Sequence, residues 1–467
     1  MAMRILYEQC GERLLQRSCC YIKSGMFVTL WAVCGVGVSA AAERPCPPVL
    51  SASQDVQVVA DTNSCNRQSD TPDYVDPVAG ITLLGGRTLV NAANSAALTA
   101  ALDNASCGQT IQLAAATYSG TFNVDLSCPA NNPLIVRGAP NFGSIISTLL
   151  TMSGARNIVT GIHFSGSGAG VRVVGVNNKW IGNKLTDWTS KSGVSVGDTV
   201  GQTQNEIAYN EIGPGGPVAA GQFRWGIKAY TSSDSDSVPT KVWVHHNRLR
   251  DFVSEDGRSD AMEIGESGRY PFAPTFAAGW YIEDNLFTNM QDSGQAILDM
   301  KFGGSVIRRN TVSDSSNVRI QSRFGSNNIW ESNYMTSGGI LTNSRGHKVG
   351  CNFVSGSGGG IQINAGEVEW DTLSNLHGRA YDVLVAKNIG TLRVGHTPNS
   401  DYTLPAFGTT IEEHTGSISF GRETSTHDNR TSTSGYNCAP AVQLTTADVG
   451  PSALTSAPSA YRAARGL

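Results

Sequence analysis

Charge is scarce in this chain of 467 residues: Asp, Glu, Lys and Arg make up 15% of it, against about 25% in an ordinary globular domain. No basic stripe accompanies the net charge of −4, so nucleic acid is not an expected partner. Heptads of Ala, Glu, Lys and Leu are missing, which excludes a coiled coil or helical bundle. The 52 glycines follow no G-X-Y period, which excludes collagen. Aromatics amount to only 7%, yet they are spread along the chain, unlike in a disordered polymer. No CxxC pair is present, which argues against a structural metal site. What the chain does have is Gly, Asn, Ser, Thr and Val, a composition suited to many short strands and tight turns.

The N-terminus reads as an export signal. Lys23 precedes the apolar run Met26–Val38, and Ser39-Ala40-Ala41-Ala42 follows it. A cation, a short apolar core and a small-residue cleavage site fit a secretory peptide over 1–42, and the run is too short to span a bilayer. The alternative is an uncleaved anchor. Cleavage would remove four cations and two anions and leave a net charge of −6. The protein is therefore expected to be secreted or periplasmic, free of membrane after cleavage, and monomeric. The six cysteines beyond residue 42 are an even number, which favours disulfides in an exported chain. Proximity pairs Cys46 with Cys65 and Cys107 with Cys128, leaving Cys351 and Cys438 to tie the C-terminal tail back.

An internal period dominates the rest. Asn followed by a strand-like pair recurs at Asn183, Asn210, Asn247, Asn285, Asn310, Asn333 and Asn352, with gaps of 27, 37, 38, 25, 23 and 19 residues. The short gaps match one turn of a parallel β-helix, and the long ones require inserted loops. Alternating strands such as Lys241-Val242-Trp243-Val244 lie between them. Asn suits a corner because it tolerates a left-handed backbone and its amides can bond from coil to coil. These features predict an all-β, right-handed parallel β-helix. Ser95–Tyr118 forms its N-terminal helical cap, since an open solenoid end would expose a sticky edge. The expected organisation is a signal at 1–42, an extension at 43–85, the catalytic β-helix at 86–430 and a tail, mobile beyond about residue 440, at 431–467. The inserted stretches Pro214–Gln222, Thr231–Thr240, Ser254–Asp260 and Ser267–Phe276 should lie on the ligand face.

On that face one constellation carries chemistry. If Ala296, Leu298 and Met300 point inward, Ile297, Asp299 and Lys301 point outward. One coil later Val318, Ile320 and Ser322 point inward, leaving Arg319, Gln321 and Arg323 outside. Glu263 takes the matching place one coil earlier. Lys301 and Arg323 should then stand on neighbouring rungs about 4.8 Å apart. Their repulsion would lower the Lys301 pKa towards a neutral amine able to accept a proton. An Arg beside it can grip a carboxylate through two bonds. Together they suit proton abstraction next to a uronate carboxyl, followed by elimination of the linked sugar. The plain alternative is a solvated ion pair between Lys301 and Asp299, worth little.

Between Asn285 and Asn352 the chain sets Lys301 at the end of a strand, then Asn310-Thr311, Arg323-Phe324-Gly325 and Asn333-Tyr334. In these residues the stretch resembles polysaccharide lyase family 6, the chondroitinase B and alginate lyase group. The cap residues Cys107–Leu113, then Met262–Ser267 and Gly346-His347-Lys348, are also similar. The resemblance implies Lys301 as Brønsted base and Arg323 as acid or carboxylate partner, acting on an anionic polysaccharide, with alginate preferred. Glu263, Gln295, Asp299, Arg319, Gln321, Lys228 and His347 are the candidate substrate contacts. Members with a calcium site carry Gly-Glu-x-Glu before this strand, whereas here Gly294-Gln295-Ala296-Ile297 lacks both acids. A hard cation needs six or more oxygens, so no metal or other cofactor is expected, and Arg323, Arg319 or Lys228 must neutralise the substrate carboxylate. His347 is alternatively a turn residue.

Three other readings stay open. A glycoside hydrolase on the same solenoid needs two carboxylates about 5–9.5 Å apart, which Asp299 with Asp292 or Glu263 could supply. A calcium-dependent lyase of the pectate type is suggested by Leu298-Asp299-Met300-Lys301. A non-catalytic surface adhesin would bind carbohydrate without cleaving it.

Overall fold

A computed structural model describes residues 87–454 apart from 130–131, 198–203, 217–222, 231–238, 253–258, 266–277, 292–295, 317, 357–358, 370–375, 423–427, 431–435 and 437. It also describes one antiparallel strand pair, Val49–Ser51 with Gln57–Val59. The export segment, the proposed Cys46–Cys65 pair and nearly all of the four inserted stretches lie outside the described residues.

Short alternating segments close into coils because each offers apolar side chains to one side only. Three parallel sheets result, of 14, 11 and 12 strands, and successive strands of the chain enter them in rotation. One coil shows the plan: Tyr281–Glu283 lies in the 14-stranded sheet, Leu286–Thr288 in the 11-stranded sheet and Ala296–Met300 in the 12-stranded sheet. This is the expected parallel β-helix. The helix Ser95–Asp103 stands between the strands Thr88–Ala92 and Gln109–Leu113. Its N-cap Asn94 accepts a hydrogen bond from the Ala97 N–H at 2.9 Å, satisfying one orphan donor of the first turn. Leu98 and Leu102 of this helix join the core. Strands continue through Thr410–Glu412, Ile418–Phe420 and Asp428–Arg430.

The core is a set of aliphatic stacks. In the 12-stranded sheet Val171, Val194, Ile227, Met262, Leu298, Ile320, Ile340, Ile361 and Leu392 occupy one register row, all fully buried. Each such side chain stabilises the fold by roughly 1.5–3 kcal/mol through removal from water.

The corner between the 14- and 11-stranded sheets carries the asparagines. Each backbone N–H donates to the side-chain Oδ1 of the next, from Asn183 through Asn210, Asn247, Asn285, Asn310, Asn333 and Asn352 to Asn388, at 2.9–3.1 Å. The side-chain Nδ2 of most of them donates to the same oxygen. The left-handed backbone falls one residue earlier than expected, at Gly182, Tyr209, His246, Asp284, Arg309, Ser332, Cys351 and Lys387. Asn is therefore selected for its amide, which satisfies buried backbone groups, and not for tolerance of positive φ.

Cys107 pairs with Cys128 and Cys351 with Cys438, with Cα separations of 5.4 and 6.0 Å. The second bridge begins a strap. Ser332 donates to the Ala439 carbonyl, the Leu444 N–H donates to Thr311 Oγ1 at 2.8 Å, and the Gly450 N–H donates to the His246 carbonyl at 2.8 Å. Leu444 and Val449 pack on Leu286. The part of the tail from 438 to 454 is thus docked, which corrects the expectation of a mobile segment from about residue 440.

Candidate active site

The outward side of the 12-stranded sheet gathers the charged residues into a register row. Arg172, Ser195, Lys228, Glu263, Asp299, Gln321, Leu341, Gln362 and Arg393 stand on successive coils. One position further along, the Lys301 N–H donates to the Ile264 carbonyl at 2.8 Å and the Arg323 N–H donates to the Met300 carbonyl at 3.0 Å. Lys301 and Arg323 therefore occupy equivalent places on consecutive rungs, as the spacing predicts. The alternation fails at one residue. The strand is irregular between Ala296 and Leu298, so Ala296 faces the Arg319 position and Ile297 turns into the core. An extra residue at a bulge shifts the alternation locally.

Glu263 is the hub. Its Oε1 receives the ammonium groups of both Lys228 and Lys301, the latter at 2.7 Å, and its Oε2 accepts the Trp225 indole N–H at 2.9 Å. Lys228 also donates to the Gly265 carbonyl at 2.7 Å and lies over the Trp225 ring. Lys301 faces Asp299 at 3.5 Å, and Asp299 accepts from the Gln321 amide at 3.1 Å. Burial alone would lower the Lys301 pKa, but Asp299 and Glu263 together raise it above its ordinary value, with Arg323 pulling weakly the other way. The expectation of an amine made neutral by a neighbouring cation is thereby corrected: two carboxylates outweigh one guanidinium. Reciprocally, burial pushes Glu263 up while Lys301 and Lys228 hold it down at about 2.

Arg323 leans the opposite way, towards later coils. Its Nε–H donates to His377 Nε2 at 2.9 Å, and the guanidinium lies over the Phe324 ring. The pair thus diverges, the amine drawn to Glu263 and the guanidinium to His377, over a sheet spacing of about 4.8 Å. Arg319 is half-buried, and its charge acts on His396 and Tyr402. Gln295 lies outside the described residues.

Of the two readings of His347, the structure fits the turn residue. It is fully buried in the other corner of the coil, where its Nδ1 accepts the Asn328 N–H at 3.2 Å and its Nε2–H donates to the Asn343 carbonyl at 2.6 Å. There it continues the role of Asn157, Asn178, Asn205 and Asn328 in neighbouring coils. Burial lowers its pKa to about 4. It is a corner residue and not a substrate contact.

The sequence reading missed Trp225, Tyr402 and the pair His377 and Glu367. The signal was available: Asn352 to Asn388 is a third long gap, of 36 residues, comparable with the two recognised as insertions. Among the described residues no group of three or more His, Cys, Asp or Glu is arranged to hold a metal ion. Among the described carboxylates of this face, Glu263 and Asp299 are engaged by Lys228 and Lys301, and Asp260 shares the Trp225 indole N–H with Glu263.

No protein-family model and no curated protein matches the chain. Solved structures do match. The PL6 family polysaccharide lyase Pedsa3628 from Pseudopedobacter saltans aligns with a TM-score of 0.59 at 15% identity, over 79% of this chain and 99% of that one. A mannuronic acid specific family 6 lyase from human gut microbiota aligns at 0.53 and 16% identity, over 72% and 82%. A PL6 alginate lyase in complex with a trisaccharide aligns at 0.55 and 15%, over 77% and 89%. The chain therefore shares its parallel β-helix with PL6 family lyases, in keeping with the resemblance carried by its sequence.

Proposed function

We propose that the protein is a polysaccharide lyase that cleaves a uronate polymer, with alginate the preferred substrate, by β-elimination. The observation that carries this reading is the placement of Lys301 and Arg323 on consecutive rungs of one outward face. The relatives in fold include alginate lyases, one of them bound to a saccharide. Lys301, in its neutral form, takes the proton from C5 of a uronate. Arg323 pairs with the uronate carboxylate and stabilises the enolate-like charge that develops there. The electron pair left on C5 forms the C4–C5 double bond and expels the 4-linked sugar oxygen, which takes a proton from water and leaves as a hydroxyl. In this reading Arg323 supplies the positive charge opposite the uronate carboxylate, and no calcium is invoked. Because Lys301 holds its proton in the free protein, activity should climb towards alkaline pH. The exported location is part of the same proposal, since a long polyuronate is met outside the cytoplasm.

The hydrolase alternative needs one carboxyl held protonated near neutral pH, whereas Glu263 is held strongly ionised. The test is a panel of polyuronates followed by the ultraviolet absorbance of an unsaturated uronate product, with wild type and Lys301→Ala, with and without chelator. Product from wild type alone, indifferent to chelator, is expected. Hydrolytic ends without unsaturation, or full activity in Lys301→Ala, would overturn the proposal.

A further inference from the structure

Beyond the rungs that carry the lysine and the arginine, the chain leaves the coil after Asn364 and returns at Ala380. The Glu367 N–H donates to the His377 carbonyl at 2.9 Å and the Arg379 N–H donates to the Val368 carbonyl at 2.9 Å, so the two stems of this excursion brace each other. They deliver a linear array. Glu367 Oε2 accepts from His377 Nδ1 at 2.6 Å and from the His377 backbone N–H at 2.7 Å. His377 Nε2 accepts from Arg323 Nε–H at 2.9 Å. The imidazole stacks with Phe324, at 5.8 Å and 8°, and with Tyr402, at 5.4 Å and 25°.

A guanidinium can only donate, so His377 must present a bare Nε2 and carry its proton on Nδ1. Glu367 is the group that fixes this tautomer, as a carboxylate does for a histidine in many sites. The ring stack removes the remaining freedom of the imidazole plane. A long Arg side chain left alone would sample several rotamers and lose that freedom only when the substrate ordered it.

We propose that His377, oriented by Glu367, is a positioning residue that holds Arg323 through Nε and so leaves the terminal guanidinium nitrogens for the substrate carboxylate. The inference rests on the lyase reading and adds to it a histidine-based holder contributed by a neighbouring excursion. It also implies a pH limit. Protonation of Nε2 replaces the acceptor with a donor facing a cation, so the hold on Arg323 is lost. Burial, followed by the charge of Arg323, lowers the His377 pKa, while Glu367 and, more weakly, Asp299 raise it. Tyr402 and Phe324 are the rings stacked on the imidazole. The net lowering keeps His377 neutral through the neutral range, and the loss falls on the acid side.

The experiment compares wild type, His377→Ala and His377→Gln, the last retaining a side-chain oxygen able to accept from Arg323. A displacement of the reacting group by about 1 Å can cost about a hundred-fold in rate. His377→Ala is expected to lose activity on that scale, mainly in kcat, and His377→Gln to recover most of it. In wild type, log kcat/KM should steepen by one further decade per pH unit once His377 protonates, and this extra slope should vanish in His377→Gln. Equal activity in His377→Ala, or equal damage in both variants with normal melting, would overturn the proposal. A separate readout does not depend on activity: nitrogen NMR of the histidines should show His377 as the Nδ1–H tautomer, altered in Glu367→Gln. If no polyuronate is cleaved by wild type, the lyase reading fails. In that case an Nδ1–H tautomer still supports the Glu367–His377–Arg323 array, and an Nε2–H tautomer refutes it.

Discussion

Replacing Glu263 with Gln should move the pH profile of the enzyme downwards. In the folded protein the Lys301 ammonium lies 2.7 Å from Glu263 and 3.5 Å from Asp299. The substitution removes the nearer negative charge and keeps the farther one, while the positive charge of Lys228 stays beside it. Coulomb's law at an effective dielectric constant of about 20 bounds the lost attraction at about 6 kcal/mol. Opposite charges at such range shift a pKa by about 1–3 units, each unit worth 1.36 kcal/mol. The neutral amine at a given pH below the Lys301 pKa should therefore become about ten- to a thousand-fold more abundant. The assay is kcat/KM for a polyuronate across pH, since this ratio reports the free enzyme. The limb assigned to Lys301 should fall by one to three pH units. Lys228→Met is the opposing control: it leaves Glu263 to Lys301 alone and should move the limb up. Stability is followed in parallel, because the depression of Glu263 to about 2 corresponds to about 3 kcal/mol, present above pH 4.5 and lost as pH falls through 2. A limb that stays in place or rises in a well-folded Glu263→Gln protein refutes the electrostatic reasoning.

Asn310→Ala should destabilise the fold by about 2–4 kcal/mol, because its amide serves Asn285, Ile282 and Asn333 in a fully buried corner, and unsatisfied buried groups cost about 1–3 kcal/mol each; denaturant melts with an unchanged midpoint would exclude this. Cys351→Ser opens a bridge that spans 87 residues, for which chain entropy predicts a loss of about 4–5 kcal/mol. Limited proteolysis should then cut within the strap before it cuts the coils, and intact resistance would count against a docked strap. His347 contributes in the window between its unfolded pKa of 6.5 and its folded value of about 4. Its neutral form is favoured by folding, so stability is complete above the window and falls by about 3 kcal/mol as pH drops through it. His347→Asn, which keeps an acceptor for Asn328, should flatten that decline, and an identical acid profile would refute the assignment.

The period of Asn followed by an apolar pair made the coils legible, because every corner poses the same problem of buried backbone groups and solves it with the same amide. Lys301 and Arg323 were legible for a related reason: alternation along their strands and the nearly equal spacing to Asn310 and Asn333 define their rung. What the sequence concealed depends on geometry that no periodicity encodes. The net pKa of Lys301 follows from which carboxylates fold back on it, and Glu263 and Asp299 could equally have faced solvent. Ile297 departed from the alternation because one bulged residue inverts it. His377 and Glu367 sit in an excursion with no fixed register to the coil, so their meeting with Arg323 could be seen only in three dimensions. His347 drew attention through Gly346-His347-Lys348, yet Asn328 beside it shows that the corner asks only for a hydrogen-bonding side chain.

The asparagine corner has an evolutionary consequence. Its links join residues separated by as few as 19 and as many as 38 positions, yet the joint itself is chemically constant. Whatever length of chain is spliced between two joints, the scaffold above and below is mechanically indifferent to it. New excursions can therefore be recruited to the cleft one at a time, and a lineage of such solenoids can trade one sugar preference for another while its spine is inherited unaltered.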